Sequence, residues 1–363
     1  MTENRRYTIG ALLLGALLAA ASFAPTPAFA VIDGEPATSA DAPWVASLMI
    51  PQRGGRSHHC TATVIAPRRV LTARHCVEHD DMWQRLVVTG TDAPERAGGA
   101  QTRVARVWAP YVFDFEDPTA ALNDRDLAVV ETVGDLKAPA LPLTPAGTAL
   151  APDEPVAAYG FGFTNGERNG DDTPSLLRRG RMLLYTAAQC AESDFGYVET
   201  ALCARRVDGP GGGVLSNGDS GGGLVRQGAG GPELLGVNSV GTRGMAALAM
   251  SGFASVPAAY GFVTAPETGV ELPMPKSRAK LSGRARVGAR LRCSASFAPR
   301  PKVTATSWQI TPRRGRVRYE RTTGAWKVPV SARGGKVACA AYGGLSDDYG
   351  SRSEWSRATT VRR

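Results

Sequence analysis

Leu71-Thr72-Ala73-Arg74-His75-Cys76 is the stretch on which the reading of the fold turns. The chain holds four histidines, His58, His59, His75 and His79, and none after residue 79. His75 follows an apolar, strand-like run and precedes a cysteine. A disulfide at that cysteine would hold the imidazole on rigid scaffold. Any hydrolytic site that needs an imidazole must therefore draw it from this early part of the chain.

Far downstream, Gly218-Asp219-Ser220-Gly221-Gly222 sets a serine among glycines. A serine hydroxyl is a poor nucleophile until a base takes its proton, and it needs backbone N–H groups nearby to hold an oxyanion. Glycines permit the sharp turn that aims those groups. In a chain with 42 glycines the same string also reads as a surface turn. Gly218-x-Ser220-x-Gly222 fits a strand-to-helix nucleophile elbow as well, but there the histidine follows the serine. The histidine count excludes that fold. Asp126-Leu127-Ala128-Val129-Val130 supplies the third signal. An acid heading an apolar strand can be buried, as orienting an imidazole requires. Asp126 abuts the strand directly and is preferred to Asp124, which reads as a loop acid. An acid-first order would use Asp33 or Asp41, but the helix-rich α/β pattern belonging to it is missing.

The rest of the 363 residues frames these signals. Residues 31–265 are short apolar runs separated by Gly, Pro, Asn and Asp, the pattern of an all-β sandwich or barrel. Short helices are expected after His75 and from Val256 to Val263, with Pro257 in the first turn. Residues 1–30 read as an export signal: Arg5 and Arg6, an apolar run from Ala11 to Ala21, and Ala28-Phe29-Ala30 as the cleavage site. The run is well short of the ~20 residues a membrane span needs. No later segment is apolar enough to cross a bilayer, so a soluble, secreted, extracellular protein is expected. Residues 266–280 read as a linker, and 281–363 as a smaller β-rich module.

Six cysteines, Cys60, Cys76, Cys190, Cys203, Cys293 and Cys339, suit disulfides in an exported chain. Six allow fifteen connectivities; pairing of neighbours is the simplest. From Lys276 onward there are 21 Lys plus Arg against four acids, a net of +17. The whole chain carries +9, so the remainder carries −8, the difference of the two. This asymmetry points to two units with different partners and bears on association, not on fold.

Residues 31–265 resemble a trypsin/chymotrypsin-type serine protease. Val31-Ile32-Asp33-Gly34 is similar to the short apolar-Gly start of the family's mature domain, and Pro43-Trp44-Val45-Ala46-Ser47-Leu48 follows it. His58 to Ile65 with Thr72 to Cys76 resembles the family's histidine segment and its disulfide. Asp126-Leu127-Ala128 resembles its aspartate segment, and Gly218 to Gly222 its serine motif, in the family's order. The resemblance implies two perpendicular six-stranded antiparallel barrels with the site between them. It implies Ser220 as nucleophile, His75 as general base, Asp126 as its orienter, and the N–H groups of Gly218 and Ser220 as the oxyanion hole. An acyl-enzyme intermediate follows from these roles. Asp219 would receive the α-amino group of Val31. Since Ala28-Phe29-Ala30 abuts Val31, signal cleavage would itself expose that group. No cofactor and no metal are expected.

The family's pocket-base position is Val214 here, which disfavours basic P1 residues and favours apolar ones. Gly236 to Gly241, with Ser239, Val240 and Gly241, resembles the substrate-binding strand, and Gly252 a pocket wall. Ser216 stands where a pocket cysteine is common, Arg74 replaces a small residue, and Val240 replaces a common tryptophan. Cys190 and Cys203 resemble another family disulfide. Beyond the linker, Cys293, Trp308 and Cys339 resemble the Cys–Trp–Cys arrangement of an Ig-like sandwich. Leu281 to Gly288 also looks like the start of an Ig-like repeat of secreted bacterial proteins. The charge of this module makes an anionic surface or polymer its expected partner. Two rival readings are a zinc site from Cys60, His75, Cys76 and His79, and a non-catalytic binding protein on a protease scaffold.

Overall fold

The computed structural model describes residues 31–78, 81–96, 98–110, 126–163, 176–191, 201–241, 250–345 and 350–362. The expected export signal, His79 and Asp124 lie outside them. After a short β1 (Glu35–Pro36), six strands form the first barrel: β2 (Val45–Gln52), β3 (Gly55–Ala66), β4 (Arg69–Thr72), β5 (Leu86–Thr89), β6 (Ala100–Ala109) and β7 (Ala128–Thr132). Their order is β6-β5-β2-β3-β4-β7, and pairing of β6 with β7 closes the ring. Leu48, Val64, Val70, Leu71, Val87, Val107 and Val129 are fully buried inside it. β-Branched residues suit this pleated, packed surface, and closure removes the unpaired edges of an open sheet.

The second barrel comprises β8 (Pro155–Gly160), β9 (Arg178–Leu184), β10 (Ala201–Arg206), β11 (Gly223–Gly228), β12 (Gly231–Gly241) and β13 (Met250–Ser255). The order is β9-β10-β13-β12-β11-β8, closed by β8 on β9, and β1 adds to β9. The chain is therefore all-β with two closed six-stranded barrels. Helix α1 (Ala187–Ala191) precedes β10, and Cys190 within it is bonded to Cys203. Helix α2 (Tyr260–Thr264) starts later than the expected Val256. Pro257 lies in a preceding turn, where the hydroxyl and carbonyl of Ser255 accept the N–H groups of Ala258 and Ala259. The barrels are tied together at Thr61. Its N–H donates to Ser220 O (2.9 Å), its hydroxyl donates to Gly218 O (3.0 Å), and its hydroxyl oxygen accepts from Phe161 N–H (3.2 Å).

After α2 the chain returns to the first barrel as β14 (Val270–Glu271), which pairs with β6. The composition of 266–280 is that of a linker. Leu272 and Met274 within it are nevertheless buried in the first barrel's apolar cluster. The strands that follow are β15 (Met274–Pro275), β16 (Lys280–Ser282), β17 (Arg290–Ser294), β18 (Phe297–Ala298), β19 (Val303–Thr311), β20 (Arg318–Thr322), β21 (Trp326–Lys327), β22 (Lys336–Gly344), β23 (Gly350–Arg352) and β24 (Thr359–Thr360). They form a pair β15-β18, a sheet β16-β17-β21, and a sheet β20-β19-β22-β23 with β24 on β22. The Cys293–Cys339 disulfide joins the last two sheets. Trp308 lies opposite Cys339 in the β19–β22 ladder, fully buried and stacked on Trp326 at 4.6 Å. This region also touches the first barrel. Trp83 Nε1 donates to Arg352 O (2.5 Å), and Leu345 packs against the barrel's apolar cluster. Among the described residues, no helix is long and apolar enough to cross a membrane.

Candidate active site

His75 sits in a short 3-10 turn, Arg74–Cys76, at the end of β4. The Cys60–Cys76 disulfide binds that turn to β3. The β4–β7 ladder pairs Thr72 with Ala128, so Asp126 falls level with the turn, just beyond the strand ends. Asp126 is 4% exposed. Its carboxylate accepts the His75 backbone N–H (3.0 Å), His75 Nδ1 (2.8 Å) and the Ser239 hydroxyl. An ionised carboxylate only accepts, so Nδ1 carries the proton and Nε2 is left with its lone pair. Burial by itself would push the Asp126 carboxyl up. The His75 charge and the hydrogen bonds from His75 and Ser239 outweigh it and hold the group below its ordinary value. For His75, burial lowers the pKa, but the Asp126 charge and hydrogen bond win and raise it.

Ser239 was legible only as part of a substrate-binding strand. Its second neighbourhood comes from a bulge: the β12–β13 register slips between Asn238 and Val240. Such an extra residue re-aims its side chain, and the Ser239 hydroxyl reaches Asp126.

The serine motif follows a turn with Gly218 at φ +92° and Gly221 at φ +82°, values that favour glycine. A Cβ on Gly221 would lie 2.1 Å from Thr72 Oγ1, so the Ser220 turn lies directly against the strand that leads to His75. Carbonyl groups fix the nearby peptides. Phe163 N–H holds Asn217 O (2.9 Å), and Gly222 N–H holds Asp219 O (2.9 Å). In a planar trans peptide the N–H points opposite its C=O. The N–H groups of Gly218 and Ser220 are therefore turned away from these contacts. Among the described residues neither has a partner in the chain. His58, buried at 2% exposure, adds a restraint: Nε2 bonds Gly218 O (2.8 Å), and Nδ1 bonds Ser47 Oγ (2.7 Å). Nothing in the sequence separates His58 from His59 for this role except strand alternation.

Asp219 is fully buried. It accepts the N–H groups of Gly162 (2.8 Å), Ser216 (2.9 Å) and Val31. Burial pushes its carboxyl up to about 6, against those hydrogen bonds. A Cβ on Gly160 or Gly162 would strike its carboxylate, so these two glycines open its cavity. Val31 is also fully buried, and Gly34, Gly180 and Gly213 close around its side chain. Val31 has φ +48°, a strained value for a β-branched residue.

Val214 is buried and bridges Ile32 through paired backbone bonds of 2.9 Å each. Gly252 pairs with Val240 on β12 and with Cys203 on β10; Gly241 pairs with Ser251. Arg74, the unusual residue beside His75, is buried with Nε 3.2 Å from Glu78 Oε1. Burial raises the Glu78 carboxyl. Cys60 and Cys76 are bonded to each other and offer no thiolates to a zinc ion; His79 lies outside the described residues.

Residues 31–260 match the family model Trypsin. The chain is 29% identical to a trypsin of Simulium vittatum over 52% of this chain and 72% of that protein. It is 28% identical to chymotrypsin-C of Rattus norvegicus, over 60% and 82%. It is 30% identical to chymotrypsin-C of Bos taurus, over 56% and 74%. The chain belongs to the trypsin family and is a serine endopeptidase.

Proposed function

We propose that this endopeptidase is secreted and works through His75, Asp126 and Ser220. Ser220 attacks the scissile carbonyl of a protein substrate while His75 Nε2 takes its proton. The carbonyl oxygen, now an oxyanion, is held by the N–H groups of Gly218 and Ser220. The tetrahedral intermediate collapses as His75 returns the proton to the leaving amine, leaving an acyl-enzyme that water hydrolyses by the same path. Asp126 holds the tautomer and stabilises the imidazolium. The observation that carries this reading is the buried Asp126 carboxylate on His75 Nδ1, just beyond the end of the strand against which the Ser220 turn is packed.

Cleavage before Val31 would place an α-ammonium group beside the buried Asp219. The glycine-lined socket around Val31 supports this, as does its φ of +48°, because a free N-terminus has no φ to strain. Val214 supports a preference for apolar P1 residues. We divide the chain into a signal (1–30), the peptidase domain (31–265), a connecting segment (266–280) and a module (281–363). The disulfide between two sheets and the buried Trp308 support an Ig-like reading of that module, and the net +17 from Lys276 onward an anionic partner. Cleavage of peptides with Phe, Leu or Arg at P1, beside a Ser220→Ala control, tests the proposal. Cleavage after Phe and Leu that the control lacks is expected. Equal turnover by the control would sink the serine mechanism, and a preference for Arg would sink the specificity.

A further inference from the structure

The C-terminal module contains a cavity of about 540 Å³ that the peptidase mechanism does not use. It lies between β17, the β20–β21 turn, the start of β19 and the end of β22. Its volume is within the ~300–1,000 Å³ range of small-ligand sites. The lining divides by chemistry. Phe297 supplies an aromatic ring, pinned flat against Gly343, where a Cβ would lie 2.9 Å from it. Ser294, Thr304 and Thr323 supply hydroxyls that have no partner among the described residues. Arg292 and Arg300 are exposed at the rim, and no described carboxylate pairs with either. The module's four acids are outnumbered by 18 Lys plus Arg, so little competes for these guanidinium groups.

We propose that this cavity binds an acidic sugar, one bearing a carboxylate or a sulfate. The guanidinium fork matches a planar or tetrahedral oxyanion. Unengaged hydroxyls match the hydroxyls of a pyranose, and the ring of Phe297 matches its C–H face. A single-stranded nucleic acid would instead call for a charged groove with successive exposed aromatic platforms. Of the two rings that line this cavity, Tyr342 is buried with the Arg321 guanidinium 4.9 Å from its centroid, which leaves Phe297 as the platform. The site rests on the reading of the module as a binding unit with an anionic partner, and is independent of the peptidase reaction. Its neighbour is the joint to the barrel: Phe297 pairs with Pro275 on β15, one residue from the buried Met274.

The test is calorimetric titration of the full-length chain with trigalacturonic acid and with a heparin-derived hexasaccharide, one arm for each oxyanion. Maltotriose serves as the neutral control. Saturable binding of at least one acidic sugar is expected, with maltotriose at least tenfold weaker. Arg292→Gln/Arg300→Gln should weaken binding tenfold or more. Arg314→Gln/Arg316→Gln, which removes the same charge from exposed positions outside the cavity, should change it less than twofold. Thermal unfolding checks that each variant is folded, and Arg300→Gln alone serves if the double variant is not. Equal losses in the two pairs would overturn the site in favour of a diffuse field. No binding of either sugar, equal binding of maltotriose, or equal competition by inorganic phosphate would overturn the ligand class. So would tighter binding of a single-stranded oligonucleotide that is insensitive to Arg292 and Arg300.

Discussion

One added residue before Val31 should disable the enzyme. Asp219 is fully buried, and without a cation beside it burial pushes its carboxyl from 3.8 to about 6. A shift of about two units corresponds to about 3 kcal/mol at ~1.36 kcal/mol per unit. The sign follows from linkage. The folded-state value lies above the unfolded one, so the folded form binds the proton more tightly. The penalty is absent below about pH 4 and reaches its full size above about pH 6. On the proposed cleavage, the α-ammonium of a free Val31 would offset it. The extended form should therefore lose about 3 kcal/mol of stability between pH 4 and pH 7 that the form starting at Val31 retains. If the active arrangement of Gly218 and Ser220 depends on this pairing, about 3 kcal/mol is on the order of a hundredfold in kcat/KM. Denaturant unfolding from pH 4 to 7, with peptide turnover at pH 8, measures both. Full activity in the extended form, or the same pH dependence of stability in both forms, would refute the reasoning.

The acid limb of kcat/KM should have its midpoint above the ordinary histidine value of 6.5, because Asp126 raises His75; turnover across pH 5–9 reports it, and a midpoint below 6.5 contradicts the pairing. Ser239→Ala removes one donor from a buried charged carboxylate, a bond of roughly 1.5–3 kcal/mol. It should lower kcat/KM by about tenfold or more and move the same midpoint, whereas a purely substrate-binding role would raise KM alone. Gly162→Ala would place a Cβ 2.5 Å from Asp219 Cγ and 2.7 Å from Asn217 O. Turnover and thermal unfolding should both fall, and wild-type values in both would remove the steric account of this glycine.

Local strings point to much of the proposed site. Asp126 can be chosen over Asp124 because it abuts an apolar strand, and burial follows from that position. His75 can be chosen because β4 delivers it and Cys76 anchors it. Other parts depend on three-dimensional neighbours that no string records. Ser239 reaches Asp126 through a register slip between strands distant in sequence. Gly160 and Gly162 matter because Asp219, far along the chain, needs their empty volume. Residues 270–275 hide Leu272 and Met274 in a Pro- and Glu-rich stretch, because the surface that buries them belongs to the first barrel. The start of α2 moved because Ser255 closes a turn around Pro257.

The central claim is that Ser220, activated by His75, is the nucleophile. A serine-directed fluorophosphonate reacts only with an activated hydroxyl, so labelling of the purified enzyme followed by peptide mapping addresses the claim directly. A single label is expected on Ser220, at one per chain, with loss of turnover in proportion to labelling and no label in His75→Ala. A label on another residue, or undiminished turnover after complete labelling of Ser220, would contradict it.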